Sequence, residues 1–231
     1  MGQKDPADYF LPLGIMGFAT KRNAGSRKIE GIEIREILPS EVDLAAALLG
    51  RAMRDTPLHI ASLGNDSAFR EQALEGVFRA FLSLESATKG LVLGAFRNGI
   101  LVGACGMMGP GRCQLTLPEK IAMLPKMLWN CGLRGTGKLN SLFRNWSKHD
   151  PVHSHWHLGP VGVERELRGR GIGSQLLREF SRIVDDEHAS SWLETDQETN
   201  VSFYQEHGFE VVAKDTVNGV PNWFMKRSSG A

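Results

Sequence analysis

Residues 158–184 read LGPVGVERELRGRGIGSQLLREFSRIV, and the chain's fold is decided there. Leu158 to Val163 is an apolar strand in which Gly159 and Pro160 predict a bulge. From Ile172 the apolar residues Leu176, Leu177, Phe180, Ile183 and Val184 recur with helical spacing, so Arg168 to Gly173 is a turn that opens a helix. Gly169, Gly171 and Gly173 leave little side chain above that turn, which lets backbone N–H groups close on an anion. The positive end of the helix, Arg168 and Arg170 add charge. A strand, a glycine turn and a helix in this order predict a cradle for phosphate.

Three phosphate-binding patterns compete. A dinucleotide fingerprint, GxGxxG, needs a third glycine where Ser174 stands, and it belongs on an early strand rather than this late one. Gly132 to Lys138 has phosphate-loop spacing as far as the lysine, but it continues with Leu139 in place of the metal-binding Ser or Thr. It follows no strand and reads as a flexible turn between two helices. The third pattern holds a pyrophosphate through Arg168, Gly171 and Gly173.

That third pattern resembles the coenzyme A loop of the GNAT superfamily of acyltransferases. Leu158 to Val163 is similar to the strand whose backbone pairs with the pantetheine arm in that superfamily. Ser191 to Thr195 reads as the next short strand. Asn200, Tyr204, Gly208 and Phe209 match the family's AsnxxxTyrxxxGlyPhe segment, a short helix ending in a glycine cap. From His155 to Lys226 the order of these motifs resembles the subgroup that contains puromycin N-acetyltransferase, with His157 standing where an aromatic such as Tyr is commoner. The likeness is strongest over the C-terminal third.

The resemblance implies an α/β fold with a mixed, mostly antiparallel central sheet flanked by helices. Its fourth and fifth strands, His155 to Val163 and Ser191 to Thr195, splay to admit the thioester arm. It also implies acetyl-CoA as cosubstrate and no metal. Upstream, Gly31 to Ile37 alternates as a strand, and Glu41 to Met53 is a helix with Val42, Leu44, Ala45, Leu48 and Leu49 on one stripe. Ser67 to Leu84 is a second helix, and Leu91 to Phe96 with Ile100 to Met107 form a hairpin about Asn98-Gly99. A helical insertion at about 109–152, between strands three and four, carries helices Pro118 to Asn130 and Leu139 to Trp146. It forms either a substrate wall or an added packing layer. Glu210 to Ala213 and Asn222 to Lys226 close the sheet about Asn218-Gly219. Residues 1–28 read as a flexible extension and 29–231 as one N-acetyltransferase domain.

A net charge of +1 gives no reason to propose nucleic acid or a membrane as partner. No apolar run is long enough to span a bilayer, and the start lacks a signal-peptide core, so a cytoplasmic location is expected. Cys105, Cys113 and Cys131 are odd in number without CxxC spacing, which fits free, mostly buried thiols in a reducing compartment. The sequence leaves the oligomeric state open.

The chemistry that the resemblance implies is attack of an amine on an acetyl thioester. Tyr204 matches the tyrosine beside the thioester sulfur, where a phenol protonates the leaving thiolate or packs beneath the cofactor. Backbone N–H near Val161, on the bulged strand, serves the oxyanion. Glu194, on strand five, is the first candidate for proton removal, Glu164 the second, and ordered water a third route. His153, His155 and His157 alternate along a strand, which suggests metal ligation, but polar lining or core packing is the preferred reading; His157 can assist proton removal. The cofactor set is Val161, Val163, Arg168, Gly169, Arg170, Gly171, Ile172, Gly173 and Asn200, the last as a contact to the cofactor arm or as a helix N-cap. The expected reaction is direct acetyl transfer to a small-molecule amine in a ternary complex. A peptide or protein acetyltransferase and a noncatalytic acyl-CoA sensor are the alternatives.

Overall fold

Asn-Gly pairs set both tight hairpins of the sheet. The computed structural model describes residues 31–87 and 90–230; the expected extension, residues 1–28, lies outside them. Strands β1 (Ile32–Glu36), β2 (Leu91–Arg97), β3 (Ile100–Met108), β4 (Trp156–Val163), β5 (Ser191–Thr195), β6 (Glu210–Val217) and β7 (Val220–Arg227) form one sheet in the order β1-β2-β3-β4-β5-β7-β6. All neighbours are antiparallel except β4 and β5. At the β2–β3 turn Asn98 and Gly99 have φ of 51° and 77°, and at the β6–β7 turn Asn218 and Gly219 have 50° and 81°. Left-handed φ at both central residues is the requirement of a tight hairpin turn. β6 and β7 consequently run up to this turn and are longer than their apolar patterns alone suggest.

Among the described residues six α-helices cover the sheet: α1 (Val42–Met53), α2 (Pro57–Leu63), α3 (Ser67–Ala87), α4 (Leu117–Trp146), α5 (Ile172–Asp186) and α6 (Glu198–Gln205). Alternate residues of the central strands enter opposite cores. Val92, Phe96 and Ala104 pack with α1, α3 and α4, while Leu93, Ala95 and Cys105 pack with Ile172, Leu176, Leu177, Phe180 and Val184 of α5. Burial on both faces is why β2 and β3 read as nearly continuous apolar runs.

Two expectations are corrected, and one helix is new. Leu44 is exposed and Ala46 takes its place in the buried stripe of α1, because Leu44 falls on the solvent side of the helix. Gly132 to Lys138 is no flexible turn between two helices: the break is confined to Gly132 (φ 65°, ψ 176°), and residues 133–138 are helical. Lys138 donates to the Ala61 carbonyl, so it closes a helix contact rather than a phosphate loop. α2 escaped the sequence reading because it is only seven residues long, although Thr56-Pro57 supplies a helix-start signal. α4 begins at a capping box, with the Thr116 N–H donating to Glu119 at 2.7 Å.

Arg227, buried on β7, ties the C-terminal end of α5 to the sheet. Its Nη1 and Nη2 donate to the two oxygens of Asp185 at 2.8 and 2.7 Å, and the Gly230 N–H joins them at 2.9 Å. The Arg227 hydrogen bonds hold the Asp185 carboxyl below its usual pKa. Asp185→Asn should therefore lower stability by about 1–2 kcal/mol in thermal unfolding, less than for a fully buried pair because Asp185 reaches solvent. In the unsubstituted protein this contribution is complete above the unfolded carboxyl value of about 3.9 and is lost as pH falls through the lower folded value.

Candidate active site

β4 and β5 are paired only through Trp156 with Ser191 and His157 with Trp192. Beyond these pairs β4 stays on β3 while β5 stays on β7, and the parting opens a cleft of about 1480 Å³. On β4 the residues Gly159 and Pro160 stand opposite Gly106 alone, which is the expected bulge. Leu158 to Val163 forms one wall and Glu194 to Gln197 the other.

The glycine turn stands at one end of this cleft. Gly169 and Gly171 have φ of 72° and 83°, conformations that an L side chain enters at a cost of about 1–2 kcal/mol. Gln175 N–H makes the first helical bond of α5, to the Gly171 carbonyl, so the N–H groups of Ile172, Gly173 and Ser174 precede the helical ladder. Arg168, Gly169, Gly171, Ile172 and Gly173 line the cleft, and Arg170 lies outside the lining. Arg168 braces the turn by donating to the carbonyls of Val163, at 3.2 Å, and Ala52.

Glu194 and His157 meet at the middle of the cleft. His157 Nε2 lies 2.9 Å from Glu194 Oε2, and Trp192 Nε1 donates to Glu194 Oε1 at 3.1 Å. The Glu194 side chain is only 2% exposed, so it is a positioned carboxylate rather than a solvated one. Burial opposes charge on His157, but Glu194, Cys113 and Asp150 outweigh it and raise the imidazole well above its ordinary pKa. Glu164, the second candidate, pairs with Arg51 at 2.6 Å. Tyr204 lines the same cleft, packs against Phe203 and Phe209, and is raised in pKa chiefly by burial, which keeps the phenol protonated.

Asn200 does not cap a helix. The N-cap of α6 is Gln197, and Asn200 lies inside the helix with Nδ2 3.4 Å from Thr195 Oγ1. The helix starts earlier than its apolar residues indicate because Glu198 and Thr199 join its first turn.

Residues without a motif complete the site. From the two ends of the insertion, Cys113 comes to His155 and His157, and Asp150 comes to His157 and Glu194. The neighbouring imidazoles of His155 and His157 lower Cys113 to a pKa of about 7, whereas burial raises Cys105 and Cys131. Glu85, on α3, is 2% exposed and is held well above the usual carboxylate range by burial. No local spacing could have found these groups, since they lie on separate elements.

The insertion is both wall and packing layer. Met123, Met127, Leu142 and Phe143 line the cleft, while Met127, Cys131, Leu139 and Leu142 also belong to the core.

The sequence model of the acetyltransferase (GNAT) family matches residues 59–209. The fold is similar to that of a Corynebacterium glutamicum protein described as histone acetyltransferase HPA2 and related acetyltransferase, with a TM-score of 0.68 and 16% identity over 87% of this chain and 98% of that one. It is also similar to the PaiA N-acetyltransferase of Thermoplasma acidophilum, solved with coenzyme A (TM-score 0.55, 16% identity, 85% and 98% covered). A third likeness is to the ribosomal-protein-S18-alanine N-acetyltransferase of Escherichia coli (TM-score 0.51, 12% identity, 87% and 96% covered). At these identities the likeness extends to the fold alone. No described helix is long and apolar enough to cross a membrane.

The unequal thiols give a direct check of this geometry. Iodoacetamide at about pH 7.5 with EDTA present should alkylate Cys113 first, since it alone is both partly exposed and low in pKa. Peptide mapping that found Cys105 or Cys131 modified as fast would contradict the arrangement.

Proposed function

The chain belongs to the GNAT acetyltransferase family, and from that premise we propose that it transfers acetyl from acetyl-CoA directly to the amine of a small molecule with an apolar body. The observation that carries this reading is one cleft lined by the glycine turn, by the His157–Glu194 pair and by apolar side chains of α3 and α4. Acetyl-CoA supplies an activated thioester. Backbone N–H groups of Gly169, Gly171, Ile172 and Gly173 hold its pyrophosphate, with Arg168 bracing the turn and Arg170 adding charge from outside the lining. Backbone groups of Val161 and Val163 run beside the pantetheine arm, and Asn200 approaches it from α6.

Glu194 acts through His157 rather than alone. In its deprotonated form, which the raised pKa confines to higher pH, His157 keeps Nε2–H on Glu194 and its Nδ1 lone pair accepts the proton of the attacking amine, while the carboxylate stabilises the charge that results. Backbone N–H near Val161 meets the carbonyl oxygen as negative charge develops on it. Tyr204 delivers its proton to the departing thiolate.

The chamber favours a small acceptor over a protein. Val77, Phe78 and Phe81 of α3 face Met123, Met127 and Leu142 of α4, which suits an apolar or aromatic body, while Asp150 and Glu194 attract a cationic amine. Direct attack predicts intersecting initial-velocity lines; parallel lines would require a covalent carrier, for which Cys113 is the thiol in the cleft.

Thiol release from acetyl-CoA, measured on puromycin, aminoglycosides, polyamines and short peptides, tests the acceptor. Release should be fastest with amines on apolar bodies, and release with peptides alone would overturn the small-molecule reading. Gly171→Glu, run beside it, should weaken acetyl-CoA binding at least tenfold by bringing a carboxylate to the phosphates; unchanged affinity would misplace the pyrophosphate. Tyr204→Phe should lower kcat by about 10–100-fold while acetyl-CoA affinity holds. Equal losses in rate and affinity would instead make Tyr204 a packing residue.

A further inference from the structure

Two buried imidazole nitrogens, one in the lining of the cleft and one beside it, have no hydrogen-bond partner, and both belong to a cluster with the chemistry of a metal site. His155 Nδ1 lies 2.8 Å from the His153 carbonyl, so this nitrogen carries the proton and Nε2 keeps a lone pair. His157 Nε2 is committed to Glu194 at 2.9 Å, which leaves the lone pair on Nδ1. His155 Nε2 and His157 Nδ1 are the buried atoms left without partners. Cys113, His155 and His157 each offer one ligand atom within 4.8 Å of the others. Asp150 completes the set: its Oδ2 is 4.0 Å from Cys113 Sγ and is held by Gln114 Nε2, while its Oδ1 is buried and also unpartnered.

We propose that Cys113, His155, His157 and Asp150 bind one divalent transition-metal ion of the zinc type. The proposal replaces the expectation of a metal-free site. One thiolate, two imidazoles and a carboxylate suit zinc and disfavour magnesium or calcium, which take oxygen ligands. Bond lengths of about 2.0–2.3 Å put tetrahedral ligand atoms about 3.3–3.8 Å apart, so Cys113, His155 and His157, with ligand atoms within 4.8 Å of one another, need about 1–1.5 Å of side-chain closure, and Asp150 closes in from beside Cys113 and His157. Each histidine is already oriented by an acceptor on its other nitrogen, a backbone carbonyl for His155 and a carboxylate for His157, as zinc-bound imidazoles characteristically are. The two positive charges of the ion balance Cys113 thiolate and Asp150.

Occupancy takes the His157 Nδ1 lone pair assigned above to the amine proton, so the ion inhibits acetyl transfer. The inhibition rests on the transferase reading, whereas the binding does not.

The test uses the full chain, stripped with chelator and titrated with zinc chloride by calorimetry and with cobalt(II) chloride by absorption. One ion should bind per chain, and cobalt should give an intense near-ultraviolet thiolate charge-transfer band with visible bands of four-coordinate geometry. Cys113→Ser should abolish the charge-transfer band, and His155→Gln should weaken zinc binding at least tenfold, in proteins whose circular dichroism is unchanged. No saturable binding, or binding that both substitutions leave unaltered, would overturn the site. Should amine turnover be found, zinc should suppress it and EDTA restore it; Cys113-dependent zinc binding with turnover at its metal-free rate would support the site and remove the inhibition.

Discussion

Parallel strands β4 and β5 hold each other at two residue pairs only, and the facing edges beyond His157 and Trp192 lose the hydrogen-bond partners that a continuous sheet supplies. Backbone groups in that condition must face water or a ligand that can pair with them, so the cleft is a consequence of the parting rather than a feature added to it. The bulge of Gly159 and Pro160 against Gly106 bends β4 away at this place. α5, which links the two strands, lays its glycine-rich start against one end of the opening, and the Arg227–Asp185 pair anchors its other end to β7.

Burial around the cleft concentrates charge. Asp150, Cys113 and Glu85 join Glu194 around His157, and burial pushes Asp150, Cys113 and Glu85 toward their neutral forms. Glu85 has only a distant cation to offset this and remains a neutral acid. Glu194 instead has two hydrogen-bond partners, His157 Nε2 and Trp192 Nε1. The same cluster thereby provides a polarised histidine for proton transfer and ligand atoms for a cation, and one imidazole lone pair serves both.

Local signals carried much of the architecture. Both tight hairpins were legible because Asn-Gly meets a conformational requirement confined to two residues. The turn from Arg168 to Gly173 was legible because left-handed glycines, an apolar strand and a helical stripe occur in sequence over a short span. Asn200 misled because α6 starts about one turn earlier, after Gln197, with the acidic Glu198 favourably placed in its first turn. Gly132 to Lys138 misled because Gly135 and Gly137 have poor helix propensity, yet Thr136 and Leu139 are buried and hold the segment helical.

Sequence by itself determined the strand, turn and helix of the glycine loop, the family to which the chain belongs, and the places of Tyr204 and Glu194 in its motifs, since all of these rest on interactions between near neighbours. Only the tertiary structure decided that Glu194 is committed to His157, that Arg168 braces the loop while Arg170 stays outside the cleft lining, and that Cys113 and Asp150 join His155 and His157. Those contacts depend on how a helical insertion folds back over a parted sheet. Side chains remote in sequence meet there because two apolar faces bury one another, and no spacing along the chain encodes that meeting.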